Sequence, residues 1–472
     1  MKSLSKFEKD AVGKYPAYAD THYLDELRES DFRRLDEKGH VYLDYTGGNL
    51  YASRQIEEHA IMLQNEVLGN PHSFNPSSLK ASKLVNETRD AILDFFNARK
   101  DYFLIFTPNA SGALKIIGES YPFDEKSHFL LPFDNHNSVN GIREYAKNKG
   151  ASYSYSPLRD DNLRFDEESL RHNLRSYSGK SNKLFAYPAQ SNVSGVKHSL
   201  DWISAAHANG WDVLLDASAY VPTSKLDLKE INPDFVTMSF YKMFGYPTGL
   251  GALLVRKDTF GKLKKPWFAG GTVTLASAMA DSFYLAEDHS KYEDGTINYL
   301  GIPALKIGIE LLSEIGMSTI SKRITILTDI LLSELQKLTY PNGNPMVTIF
   351  GPKENKERGG TVIFNFLSDD GSLLPYMNVE SEANKRNISI RTGCFCNPGI
   401  DEINNHIRST ELNSFFKLHS SGGIGDMMEH FQTMRGAIRV SVGYVTNLKD
   451  LHTFFQFAED FCMSHHKESE LI

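Results

Sequence analysis

Lys242 closes the run FVTMSFYK (235–242), and Tyr241, Met243 and Phe244 surround it with aromatic or apolar neighbours. A lysine amine in such a setting loses solvation, which favours its neutral, nucleophilic form. Other apolar runs also end in polar side chains. DVLLD closes on Asp216, HFLLPFDNHNS reaches His136, and KLFAYPAQSNVSG carries Gln190 and Asn192. Ser239 precedes the lysine in its own run, and FLIFT leads into Asn109, Ala110, Ser111 and Gly112, where a helix should start. The backbone N–H groups and dipole of such a start suit a phosphate. A neutral amine for an aldehyde, an acid for a ring nitrogen and a phosphate cradle together suit pyridoxal phosphate. Singly, each has a plainer reading: an aspartate after a strand is usually a cap, a lysine a solvated group, a histidine a bonded loop residue. Only the combination points to a cofactor.

To bring these side chains to one rim, the runs must be strands of one sheet. FLIFT (103–107), HFLLP (128–132), KLFAYPA (183–189), DVLLDA (212–217), FVTMSF (235–240) and ALLVR (252–256) alternate with helical patterns at 110–119, 137–149 and 199–209. Continuous apolar strands between helices predict an α/β fold with a mostly parallel sheet covered on both faces. Ligands in such sheets sit beyond the carboxyl ends of the strands. Helices are expected at 53–67 and 77–97, with a loop at 69–78 whose Ser77 or Ser78 could cap the second. After about 300 the pattern changes to one long helix (303–338), strands near 346–350 and 361–366, and further helices, a smaller α+β domain. The expected division is an N-terminal segment 1–40 joined to the small domain, a large domain 41–302, and a small domain 303–472. The polar, glycine-dotted stretch 402–434 resists assignment, and its GGIG (422–425) reads as a flexible loop rather than a phosphate binder.

Composition removes other classes. Of 472 residues, 41% are hydrophobic, enough for large cores and incompatible with wholesale disorder. The formal charge of −8 comes without a basic patch, so no nucleic-acid partner is expected. The N-terminal MKSLSKFEKD lacks the apolar core of a signal peptide, and no stretch reaches the roughly 20 apolar residues of a membrane span. Three cysteines, Cys394, Cys396 and Cys462, are too few for a disulfide framework, so the expected location is a reducing cytoplasm. Cys394 and Cys396 could form half a metal site, with Cys462, His465 and His466 supplying the rest, but zinc sites usually bring two tight, well-spaced pairs, and no metal is expected.

SFYKMFGYPTGLGALLVR (239–256) and RTGCFCNPG (391–399) resemble the pyridoxal-phosphate domain of molybdenum cofactor sulfurases, within the class V aminotransferase and cysteine desulfurase group. The resemblance runs from YLDYTGGNLY (42–51) through DNHNSVNGIRE (134–144), PAQSNVSG (188–195) and LLDASAYVPT (214–223) to RVSVGYVTN (439–447). It implies the fold-type I architecture of pyridoxal-phosphate transferases and a role for each matching residue. Lys242 would hold the cofactor through a covalent imine, Asp216 would pair with the ring nitrogen, His136 would stack on the ring, and Asn192 would reach its hydroxyl. Ser111 with the backbone of Ala110 and Gly112, and Ser239, would hold the phosphate. Arg391 would grip the substrate carboxylate, as a planar fork does better than a lysine. Cys396 would accept sulfur from a cysteine substrate, leaving alanine. Thr272, in AGGTVT (269–274), would reach the phosphate of a neighbouring subunit, which implies a homodimer.

Position 219 is Ala where many desulfurases have glutamine, position 241 is Tyr where many have histidine, and Gly399-Ile400-Asp401 stands where a further sulfurase cysteine is expected. A eukaryotic-type sulfurase also carries a C-terminal domain for the molybdenum cofactor, and this chain stops at 472. The expected activity is therefore that of a cysteine desulfurase-like sulfurtransferase, passing sulfur to an acceptor protein or cofactor. The alternatives are another class V enzyme, such as a β-lyase, epimerase or aminotransferase with a structural Cys396, and a non-catalytic binding protein on the same fold.

Overall fold

Runs such as HFLLP and FVTMS are buried along their whole length, because both faces of their sheet are covered. The computed structural model describes residues 3–469, less the side chains of 466–469, so that of His466 lies outside the described residues. Its main sheet has seven strands in the order Tyr102–Thr107, Gly251–Arg256, Phe235–Ser239, Asp212–Asp216, Lys183–Pro188, His128–Pro132 and Ser152–Ser156. Gly251–Arg256 is antiparallel to both its neighbours, and the remaining pairs are parallel. Successive side chains point to opposite faces of a strand. Leu104 and Leu130 accordingly join one core while Ile105 and Leu131 join the other.

A second, antiparallel sheet has the order Val347–Phe350, Thr361–Phe366, Ala437–Ser441, Arg391–Gly393. Beside it Val41–Tyr42 pairs with Ile388–Ser389, and the chain then continues as Tyr45-Thr46-Gly47-Gly48 toward Tyr241. The N-terminal helices pack against the C-terminal region. Buried Arg28 bonds both Asp36 and Asp450, and Arg323 covers the Tyr18 ring at 4.2 Å.

Several expected elements differ in detail. The single helix over 303–338 is two, Ile302–Ile315 and Met317–Leu335, broken at Gly316, whose φ of +81° favours glycine. The helix over 137–149 is likewise two, Asn137–Asn140 and Ile142–Asn148. The stretch 402–434 is largely helical, with Pro398–Asn404, Ser409–Leu418 and Ile424–Phe431. GGIG leads into the last of these, Gly423 donating its N–H to Asp426, and is not a free loop. Asp401, bonded to Arg435 and to the Gly436 N–H, closes the base of this excursion. Among the described residues no helix is long and apolar enough to cross a membrane.

Candidate active site

Five strand ends of the main sheet converge on a cavity of about 170 Å³, lined by Ala110, Ser111, His136, Asn192, Asp216, Ser239 and Lys242 among others. The loops after neighbouring strands open at the same edge, so residues far apart in sequence share one rim. Lys242 stands in the short helix Phe240–Phe244, one turn beyond the Phe235–Ser239 strand. Burial lowers its pKa below the ordinary lysine value; Asp216 opposes this, while Arg439 and Arg391 add to it. Burial likewise lowers the pKa of His136, against the pull of Asp216. His136 Nδ1 accepts the Ser138 N–H at 3.1 Å, which fixes the ring.

At the other end, the helix Ala110–Ser120 is capped by Asn109, whose side chain takes the Gly112 N–H at 2.9 Å. The Gly112 N–H therefore serves the cap, and Gly112 is not among the lining residues. Ser239 Oγ accepts the Ala110 N–H at 2.9 Å and keeps its own proton to donate. Ser111 Oγ lies 2.6 Å from Ser138 Oγ. Asp216 accepts the Ser218 N–H on Oδ1 at 3.0 Å, with its other oxygen available to a ring nitrogen. Hydroxyl donors at one end, a carboxylate at the other and a buried amine between them fit pyridoxal phosphate. Ala219 and Tyr241, two of the departures, also line the cavity. Gln190 also lines the cavity; its buried Oε1, which packs against Gly359, has no hydrogen-bond partner among the described residues.

Two expected residues stand at the rim rather than in the lining. Cys396 is exposed, close enough to Lys242 to act on its charge. Arg391 is half-exposed, and its Nε and Nη2 both bond Asp44. Opposite it in the second sheet is Arg439, a residue the sequence reading missed. Arg439 is buried, with Nη2 2.9 Å from Asp44 Oδ1 and Nη1 2.8 Å from the Asn192 carbonyl. Like charges facing each other across a sheet repel; Asp44 offsets both. A Cβ at position 47 would come within 2.5 Å of Asp44 Oδ2 and 2.6 Å of Arg391 Nη2, so a side chain there would displace the Asp44–Arg391 pair.

The remaining candidates lie elsewhere. Thr272 is buried, its hydroxyl exchanging hydrogen bonds with the Ala269 backbone, away from the cavity of its own chain. The Cys394 thiol is pushed up to about 12 by burial and by Asp401, so it stays protonated at neutral pH. Cys462 is buried in the helix Leu448–Ser469. Among the described residues no three His, Cys, Asp or Glu side chains gather as for a metal ion.

The chain is 36% identical to a molybdenum cofactor sulfurase of Solanum lycopersicum, over 95% of its own length and 58% of the relative's. It is 37% identical to a molybdenum cofactor sulfurase of Homo sapiens, over 93% and 51%. It thus spans between half and three fifths of the length of these curated relatives. An apo cysteine desulfurase from Thermococcus onnurineus NA1 superposes with a TM-score of 0.77 at 22% identity, covering 93% of this chain and 98% of that one. A cystine C-S lyase shares the fold at a TM-score of 0.67 and 18% identity, over 89% and 97%. The model for Aminotransferase class-V matches residues 41–454, so the chain belongs to that family and is a pyridoxal-phosphate-dependent enzyme.

Proposed function

We propose that the chain is a cysteine desulfurase-like sulfurtransferase of the molybdenum cofactor sulfurase type, forming a persulfide on Cys396 and alanine from cysteine. The observation that carries this reading is the Cys396 turn, held at the mouth of the Lys242 cavity by Asn192 and Asn137. The likeness to molybdenum cofactor sulfurases supports the same reading.

Bound pyridoxal phosphate would supply an electron sink for the amino acid's α-carbon. Lys242 would anchor it and then, as a free amine, take the α-proton. Asp216 would keep a proton on the ring nitrogen, His136 would cover a ring face, and Asn192 would bond the ring hydroxyl. Ser111 and Ser239 would cradle the phosphate; Ala110 would support them by orienting Ser239 Oγ, and Gly112 through the cap. Arg391 and Arg439, braced on Asp44, would receive the substrate carboxylate. The Cys396 thiolate would attack the substrate sulfur: an S–S bond forms, the C–S bond breaks, and its electron pair passes to the carbon that is protonated to give alanine.

The chain would act in a reducing cytoplasm, where its three cysteines would stay free thiols. The exposed side chains of Leu275, Met279 and Tyr284 on the hairpin after Thr272 fit a homodimer in which Thr272 would approach the partner's site. We place the large unit at 41–302 and the small unit at 303–472, with 1–40 on the latter through the Arg28–Asp450 pair. The acceptor would be a protein or a sulfur-carrying cofactor.

The test is incubation with cysteine followed by persulfide trapping. Wild type yields alanine and a persulfide on Cys396; Cys396→Ser yields neither while still binding cysteine. Full turnover by the serine variant would instead favour a β-lyase, epimerase or aminotransferase, the reading suited by the position of Cys396 outside the cavity lining.

A further inference from the structure

Phe395 and Cys396 are consecutive non-glycine residues in the left-handed region, with φ of +55° and +54°. L side chains adopt that conformation reluctantly, and it persists where the surroundings hold it. Here the holding groups are identifiable. Asn192 donates to the Phe395 carbonyl at 2.8 Å, and the Asn137 N–H donates to the Cys396 carbonyl at 2.7 Å. The Arg439 guanidinium lies 4.8 Å over the Phe395 ring. The next residue, Asn397, is buried; its amide donates to Asp134 Oδ1 at 2.7 Å and to Asn192 Oδ1 at 3.1 Å.

Asp134 has no exposed surface, and its other neighbours leave it little freedom. Ser191 Oγ donates to Oδ1 at 2.9 Å, and His198 Nε2 bonds Oδ2 at 2.8 Å. The His198 ring is stacked on Phe165 at 3.7 Å with a 5° interplanar angle. A carboxylate fixed from the large sheet thus reaches the loop that carries Cys396. We propose that Asp134 is a positioning residue: through Asn397 it latches the Cys396 turn closed and sets the orientation of Asn192. The functional meaning of the latch rests on the reading of Cys396 as sulfur acceptor. Asn192 then links two events, because one amide hydrogen holds the turn and the other remains for the ring hydroxyl. A turn that opened would release the amide that orients the cofactor and move the thiol from the substrate.

The backbone amide of Asn137 reports the latch directly. It is the first residue of the helix Asn137–Asn140, where an N–H has no partner within the helix, and its bond goes to Cys396. Hydrogen exchange is read at single-residue resolution on the cofactor-loaded full chain without substrate. In Asn397→Asp, which sets a second carboxylate against Asp134, Asn137 exchanges at least about tenfold faster while Leu214 and Leu215 of the central strand are unchanged. The double exchange Asp134→Asn with Asn397→Asp rebuilds an amide–carboxylate bond and restores protection. Should the single variant speed the central strand as well, Asn397→Ala, which adds no charge, is read by the same criterion. Wild-type exchange at Asn137 in a folded single variant overturns the proposal. Loss of the sulfur-acceptor reading is seen separately, in the turnover of Cys396→Ser, and leaves the exchange result standing.

Discussion

Lys242→Ala removes the borohydride-trapped cofactor adduct and lowers turnover of any amino acid substrate by about three orders of magnitude or more. In the proposed mechanism the side chain would combine two duties: attachment of the cofactor and proton transfer at the α-carbon. Its burial favours both by disfavouring the charged ammonium, and the flanking Arg439 and Arg391 act in the same direction. The sign can be checked without substrate. Because the folded pKa lies below the ordinary value of 10.5, the reactive free amine accumulates at lower pH than in an exposed lysine. The rate at which apoprotein captures cofactor therefore rises with pH and levels off with a midpoint below 10.5. The unfolded chain keeps its proton longer, so this lysine's contribution to stability also rises with pH through that window. A capture midpoint at or above 10.5 would contradict the burial argument, and a reduced adduct on another side chain would remove Lys242 from the mechanism.

Most of the lining of the candidate cavity was legible because strand ends in parallel sheets place polar residues at predictable positions. Asp216, Ser239, Lys242, His136 and Asn192 each follow an apolar run, and all line the cavity. The strand Ser152–Ser156, with the sequence SYSYS, escaped because it is a half-exposed edge strand without an apolar run. The break at Gly316 escaped because apolar residues continue at helical spacing on both sides, and only the backbone dihedral betrays the interruption. Arg439 could have been found. A charged residue inside the buried strand AIRVS needs a compensating partner, and Asp44 in YLDY is its counterpart nearly 400 positions away. Asp134 and Asn397 carried no such signal, since an amide–carboxylate bond between distant loops leaves no periodic trace.

The two arginines on Asp44 differ enough that one substitution should separate them. Arg391 already turns two of its nitrogens to Asp44 and has half its side chain in solvent, so screening weakens what it can add to a ligand. Arg439 is buried, acts more strongly than Arg391 on Lys242, and has an Nε without a hydrogen-bond partner among the described residues. A buried donor left in that state suits an incoming carboxylate. Arg439→Lys keeps the positive charge against Asp44, avoiding an unpaired buried carboxylate, but gives up the planar fork. Losing a charge-assisted bond of this kind costs about 1.5–3 kcal/mol, which corresponds to a rise in KM of roughly tenfold to a hundredfold. Arg391→Lys should raise KM by only about threefold, the effect of a partly screened contact. Steady-state KM for cysteine in the two variants, with kcat followed in parallel, decides the order. If Arg391→Lys proves the more damaging, the carboxylate sits at the exposed rim, and Arg439 serves mainly to brace Asp44 and the Phe395 turn.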